Sequence, residues 1–342
     1  MNGMTMRTGC LALCGMLMAG PGAAGATRDL LKKPQDWFKT AEAAKIADNI
    51  LSWQTRAGGW PKNVDVSGEP YSGDQDELKP TFDNSATTDE LRFLARMHKA
   101  NGERRYEQAF ERGFDYIIAA QYPTGGWPQF DPPGSSYHRH ITFNDNAMVR
   151  LMNFLRETYE DDRYDFLDSR RKEAAKTAFA DGIRCILKCQ IRVDGHLTAW
   201  CAQHDEKNYE PRPGRAYELV SISGSESVGI LRLLMSIDDP GPEVVQAVDA
   251  AVAWLRSVEL HGIRIVERDG NRVVVEDDSA PPLWARFYEI GSNRPFFCGR
   301  DGVKKYRLDE IEDERRNGYS WYGSWPRSLL ESEYPAWKKK ID

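Results

Sequence analysis

Two short polar motifs place carboxylates in matching surroundings: Thr81-Phe82-Asp83-Asn84, and Thr142-Phe143-Asn144-Asp145-Asn146. Read as one repeated element, they put Asp83 and Asp145 in equivalent places at the start of two helices, pointing toward one mouth. Convergent carboxylates have three chemical uses. They can act as acid and base of an inverting glycosidase, offer hard oxygen donors to a cation such as calcium, or hold sugar hydroxyls. Each could instead be a helix N-cap. Two caps would vary independently, however, whereas here the flanking residues repeat as well.

The second set is basic. Arg212 and Arg215 lie in Pro211-Arg212-Pro213-Gly214-Arg215-Ala216-Tyr217-Glu218, and Arg286 lies in Trp284-Ala285-Arg286-Phe287-Tyr288-Glu289. Arg294 and Arg300 flank Pro295-Phe296-Phe297-Cys298-Gly299, with Arg315 and Arg316 further on. Arginines set among Gly, Pro and aromatic residues do not form a solvated helix face, and their planar forks suit repeated bidentate contacts to carboxylates. Arg315 also fits a surface ion-pair run over 312–316.

Trp60 and Trp127 follow paired glycines and precede proline; such stiffly held indoles serve either as sugar-stacking faces or as packing anchors. Trp321 and Trp325 read as an exposed rim, and His204 as a structural histidine. The sequence holds no Ser/His/Asp triad, no Gly-x-Ser-x-Gly elbow and no phosphate-binding loop. Of six cysteines, Cys185 and Cys189 sit four apart in a helical stretch and read as buried apolar groups rather than a bridge.

These residues must be positioned by a repeat. Gln54 precedes Gly58-Gly59-Trp60-Pro61, Gln121 precedes Gly125-Gly126-Trp127-Pro128, and Gln190 precedes Asp194-Gly195 and Trp200; the glutamines are 67 and 69 residues apart. The polar motifs run in phase, with Ser221-Ile222-Ser223-Gly224-Ser225-Glu226 as a degenerate third copy. Apolar residues at three-four spacing predict helices over 41–53, 104–120 and 171–187, each ending in a glycine turn. A second series is predicted over 87–99, 147–158 and 227–235, with a further helix over 243–257. Residues 263–275 carry a β-hairpin signature around Asp269-Gly270. The expectation is a mainly α chain, an (α/α) toroid or incomplete α/α barrel with a small β-hairpin decoration.

Residues 1–26 combine Arg7, a short apolar run and a small-residue end, Ala24-Gly25-Ala26, the pattern of a secretory leader cleaved after Ala26. Residues 27–342 are then expected to form a single catalytic domain, exported to the periplasm or outside the cell, monomeric and with no membrane span. The formal charge of −6 argues against nucleic acid as a partner.

Taken together, Gly58-Gly59-Trp60-Pro61-Lys62-Asn63, Thr142-Phe143-Asn144-Asp145-Asn146-Ala147-Met148, Trp200-Cys201-Ala202-Gln203, Arg215-Ala216-Tyr217-Glu218 with Ser221-Ile222-Ser223-Gly224, and Asn293-Arg294-Pro295 with Gly299-Arg300-Asp301-Gly302 resemble polysaccharide lyase family 10, the pectate lyases with an (α/α) toroid fold. The motifs occur in the family's order over residues 40–326. The resemblance implies calcium-assisted β-elimination of polygalacturonate or oligogalacturonides. Matched motif by motif, it makes Arg215 the base, Asp83 and Asp145 the Ca2+ ligands, Asn84 a substrate or cation contact, and Arg286, Arg300 and Arg315 the carboxylate-binding arginines. An arginine base is demanding, because lowering a guanidinium pKa by roughly three pH units needs about 4 kcal/mol. Neighbouring arginines and calcium are expected to supply part of that by repulsion. Two other readings stay open: an inverting α/α glycoside hydrolase using Asp83, Asp145 or Glu226, and a non-catalytic binder of acidic polysaccharide.

Overall fold

A computed structural model describes residues 26–341. The expected leader, apart from Ala26, lies outside the described residues. After a short α1 (Ala26–Leu30), helices alternate between two series. The first comprises α2 (Ala41–Ser52), α4 (Arg104–Ala119), α6 (Ser169–Cys189) and α8 (Pro242–Ser257). The second comprises α3 (Thr88–Asn101), α5 (Ala147–Glu160) and α7 (Glu226–Met235). Helices α4, α6 and α8 touch in that order, as do α3, α5 and α7, so each series forms a layer and consecutive helices pack across it. The chain is mainly α, as expected. Helix α4 buries Tyr106, Ala109, Phe110, Gly113, Phe114 and Ile117 at three-four spacing, the stripe of a helix with one wet face. Helix α3 buries residues almost all round.

The hairpin forms as read, pairing 263–268 with 271–276 across Asp269 and Gly270, both at positive φ. The remaining strands are two residues long and lie within the loops, in pairs except for one three-stranded sheet of 141–142, 203–204 and 211–212. Two short helices in the C-terminal stretch, α9 (Asp313–Gly318) and α10 (Tyr334–Ile341), carry no sequence signal strong enough to be expected. Among the described residues no helix is long and apolar enough to cross a membrane.

Each repeat is closed by one tryptophan. The indole N–H of Trp60 donates to Ile50 O at 2.7 Å, Trp127 to Ile117 O at 2.8 Å, Trp200 to Ile186 O at 2.8 Å and Trp284 to Leu255 O at 2.8 Å. All of these rings are fully buried. Trp60 and Trp127 are therefore packing anchors rather than sugar platforms. Trp284 reveals a fourth repeat, hidden in the sequence because the hairpin separates it from α8. Trp321 is also buried, at 2 % exposure, which corrects the exposed-rim expectation. The four cysteines of the described region are free and buried.

The glutamines join one repeat to the next. Gln54 Nε2 donates to Gly58 O and to Ala109 O of α4, both at 2.8 Å; Gln121 to Gly125 O and Ala178 O of α6, both at 2.9 Å. Gln190 does the same with Thr198 O and Ala247 O of α8, both at 2.9 Å. The loops must come very close for this. A Cβ on Gly58 would lie 2.3 Å from Arg112 O, and one on Gly125 2.2 Å from Asp181 O, and both glycines have left-handed φ. Gln190→Ala would remove the side-chain donor shared by two carbonyls at the junction of two repeats. The expected loss is about 2–4 kcal/mol, read as a lower urea midpoint with unchanged slope.

Candidate active site

A backbone ladder between loops builds the site. In each repeat the polar loop donates first to its own tryptophan: Thr81 N to Trp60 O, Thr142 N to Trp127 O and Ser223 N to Trp200 O. The next N–H reaches the following repeat, two residues past its tryptophan: Phe82 N to Gln129 O, Phe143 N to Ala202 O and Gly224 N to Arg286 O. This register corrects the sequence alignment. Asp83 matches Asn144 and Ser225, whereas Asp145 matches Asn84 and Glu226. The backbone agrees, since Asn84 and Asp145 share φ values of 53° and 51°. Neither aspartate makes an N-cap bond; the residues preceding α3 and α5 are Thr87 and Asn146, also at positive φ.

The ladder delivers side chains as well as backbone. Gln129, arriving from the second repeat, donates to Asp83 Oδ2 at 2.6 Å, and Lys62 pairs with the same oxygen. Asp83 is thus buried and compensated. Arg286, arriving from the fourth repeat, pairs with Glu226, whose other oxygen takes the Ser223 hydroxyl, and Arg286 Nη2 lies 3.6 Å from Asp145 Oδ1. At the corresponding point of the third repeat the chain has Ala202, whose methyl group can pair with no carboxylate, and Asp145 Oδ2 accepts instead from its neighbour Asn144 Nδ2 at 2.9 Å. Asp145 keeps a side chain 43 % exposed, against 5 % for Asp83. Burial, then the charge of Glu226, and more weakly that of Asp83, push its pKa up against the opposing pull of Arg286. Asn84 stays beside Asp83, its backbone N–H donating to Asp83 Oδ1 at 2.9 Å and its amide to Asn63 Oδ1 at 3.3 Å.

Four of the arginines singled out by the sequence converge on two tyrosines. The guanidinium carbons of Arg215, Arg300 and Arg315 lie 5.0, 5.9 and 4.7 Å from the Tyr217 ring. Those of Arg215 and Arg286 lie 5.8 and 4.7 Å from the Tyr319 ring. Arg300 and Arg315 share Glu314, at 3.0 and 2.7 Å. Arg315 is itself 9 % exposed but pairs within 312–316 with the exposed Glu314, so it belongs both to the ion-pair run and to this cluster. Arg286 Nε is buried with no hydrogen-bond partner. By contrast Arg212, Arg294 and Arg316 engage Asp205, the Tyr306 ring and Asp313, outside this cluster.

Arg215 departs from the expected electrostatics. Burial alone would lower its pKa, but Glu218 grips it through Nε at 2.9 Å and through Nη2, and holds the pKa well above the ordinary arginine value. Glu218 in turn accepts the Tyr319 hydroxyl at 2.9 Å. Tyr137 completes the rim: its pKa, raised first by burial, responds to both Arg215 and Asp83. The adjoining His138 feels Lys62 and Asp83, with the two rings 3.9 Å apart. Sequence reasoning assigned no role to Lys62, Gln129, Tyr137, Glu218 or Tyr319. For Gln129 and Lys62 a signal existed, their shared place two residues after the repeat tryptophan. His204 is structural: fully buried, with Nε2 accepting from Cys201 N, its pKa is pushed down to about 4.

These features can be set beside known proteins. The sequence model of the pectic acid lyase family matches residues 54–330. Two solved structures of a family 10 polysaccharide lyase from Cellvibrio cellulosa are similar over nearly the whole chain. One, an aspartate-to-alanine mutant in complex with trigalacturonic acid, is 36 % identical with a TM-score of 0.78, covering 91 % of this chain and 97 % of its own. The other is 35 % identical with a TM-score of 0.79, covering 92 % and 97 %. No curated protein matches in sequence. The family match, the structural likeness and the mouth of opposed carboxylates and arginines agree: this chain belongs to the pectic acid lyase family and is a polysaccharide lyase of family 10.

Proposed function

We propose that the enzyme cleaves polygalacturonate by β-elimination, with Arg215 as base, Asp83 and Asp145 holding calcium, and Asn84, Arg286, Arg300 and Arg315 binding the substrate. The observation that carries this reading is the gathering of four arginines round Tyr217 and Tyr319, with Arg286 Nη2 3.6 Å from the half-exposed Asp145 carboxylate. A polyuronate needs cationic forks for its carboxylates, and the trigalacturonic acid held by the Cellvibrio lyase is such a ligand. The unpartnered Arg286 Nε supplies a donor already desolvated for one uronate. We further propose that residues 27–342 form one catalytic domain, that the two helical layers make the incomplete (α/α) toroid, and that the chain is exported.

In the reaction Arg215 takes the proton from C5 of a galacturonate. The freed electron pair forms the C4–C5 double bond as the C4–O bond breaks, and the departing oxygen is protonated by water. Negative charge grows on the uronate carboxylate, where Arg286 and its neighbours stabilise it. Calcium, when bound, neutralises that carboxylate and the acidic mouth together. The donor set fits such an ion. Asp145, Asp83 and the asparagine amides are hard oxygen ligands, and burial, then the charge of Glu226, raises the pKa of Asp145, a destabilisation of its charged form that a dication would offset. Asp145 is the more open ligand, because Lys62 and Gln129 already occupy Asp83.

The direct test is incubation with polygalacturonate. A lyase generates an unsaturated uronide that absorbs in the ultraviolet; reducing ends without that absorbance would mean hydrolysis, and neither product would mean a binder. EGTA should abolish turnover and added calcium restore it. Asp145→Ala should keep the wild-type melting temperature yet need at least tenfold more calcium for half-maximal rate. Full activity after metal stripping would remove calcium from the mechanism.

The base assignment makes a signed pH prediction. A base must be neutral, and Glu218 raises the Arg215 pKa, so the rate should climb toward alkaline pH. Glu218→Gln keeps the shape but removes the charge, which lowers that pKa and should move the alkaline limb to lower pH. Arg215→Lys keeps the positive charge but misplaces the nitrogen, and should lose on the order of 100-fold in kcat. An unmoved limb in Glu218→Gln together with near wild-type activity in Arg215→Lys would overturn the assignment.

A further inference from the structure

Glu90, on the first turn of α3, is a carboxylate the proposed chemistry does not use. It is 6 % exposed, and its Oε2 has no hydrogen-bond partner. Burial, then the charge of Asp89, push its pKa up to about 7, while the Thr27 hydroxyl is among the few groups favouring its ionised form. Thr27 is itself buried, at 5 % exposure, in α1, which lies against α3. The next residue, Arg28, donates through Nε to Asp89 Oδ2 at 3.2 Å and through Nη2 to the Ser85 hydroxyl. Ser85 stands two residues from Asp83, in the loop that carries it. A charged buried group left unpaired is costly, and the ordinary remedy is a partner of opposite sign.

We propose that cleavage between Ala26 and Thr27 creates that partner, the new α-ammonium of Thr27 pairing with Glu90 and locking α1 against the Asp83 loop. Water adds across the Ala26–Thr27 amide in a reaction catalysed by an export-associated peptidase. Ala26 departs as a carboxylate, and Thr27 retains an amine that is largely protonated at neutral pH, with an ordinary pKa of about 7.7–8.0. The backbone nitrogen and hydroxyl of one threonine are three bonds apart, so a nitrogen released from Ala26 reaches what the hydroxyl already faces. The site is placed where a small-residue leader end meets a buried, half-satisfied carboxylate. Leader removal on this account finishes the fold rather than merely freeing it.

The test compares two chains, one beginning at Thr27 with a free amine and one carrying an additional Gly-Ser before it, each with and without Glu90→Gln. The free-amine chain should melt roughly 3 °C or more above the extended one. Glu90→Gln should lower the melting temperature of the first and raise that of the second, because neutralising the carboxylate breaks a pair in one and relieves an orphan charge in the other. Protein recovered from an exporting host should begin at Thr27 by mass spectrometry. Equal melting temperatures for the two chains, shifts of the same sign on Glu90→Gln, or a different amino terminus would overturn the proposal.

Discussion

The site depends on one constraint, the interleaving of adjacent loops by paired backbone hydrogen bonds. Each polar loop is tied to its own tryptophan and to the residue two beyond the next tryptophan. Because the second bond crosses between repeats, the side chain at that residue is brought to the preceding repeat's polar loop. Gln129 meets Asp83 and Arg286 meets Glu226 in this way, and an alanine at the same point leaves Asp145 open. The frame that holds the loops in this register is the buried tryptophan anchors and the glutamine bridges between helices. Which carboxylate of the polar loops is paired is therefore set in part by one residue per repeat on a shared scaffold.

That frame also supports backbone that would not persist alone. Asn84, Ser85, Thr87, Asp145 and Asn146 all have left-handed φ. Asparagine and aspartate tolerate it; serine does so less readily, and a β-branched threonine is an outlier. Thr87 is kept there by its own hydroxyl, which donates to Thr81 O at 2.9 Å and accepts from Trp60 N at 3.0 Å. The distortion turns the carboxylates out of capping positions, which is why two aspartates beside helix starts cap nothing.

Charge at the mouth is balanced by pairing rather than by excess of one sign. The chain is acidic overall, yet Arg215, Arg286, Arg300 and Arg315 stack on two tyrosines whose faces accept cations. Their carboxylate partners, Glu218, Glu226 and Glu314, orient the forks and keep them charged. The same pairing that keeps the forks cationic opposes deprotonation of Arg215, so the anion binding and the base chemistry proposed above would make opposite demands on the Glu218–Arg215 pair.

The repeat, the helix series and the hairpin were legible in the sequence, because apolar spacing and Gly-Trp-Pro punctuation are local signals; of the mouth, Asp83, Asp145 and the four arginines were legible, while Lys62, Gln129, Tyr137, Glu218 and Tyr319 were not. The fourth repeat was not, since an inserted hairpin lengthens the interval between α8 and Trp284. Whether Trp60, Trp127 and Trp321 would be faces or anchors was undecidable locally; burial by neighbouring helices made them anchors. The matching of Asp145 with Asn84, and not with Asp83, depends on hydrogen bonds to residues some 45 to 60 positions away. No local pattern encodes that register. The sequence by itself determined which side chains could do chemistry and on what scaffold. Tertiary structure decided which carboxylate is compensated, which is open and which partner holds each arginine, because those outcomes are set by contacts between repeats rather than within them.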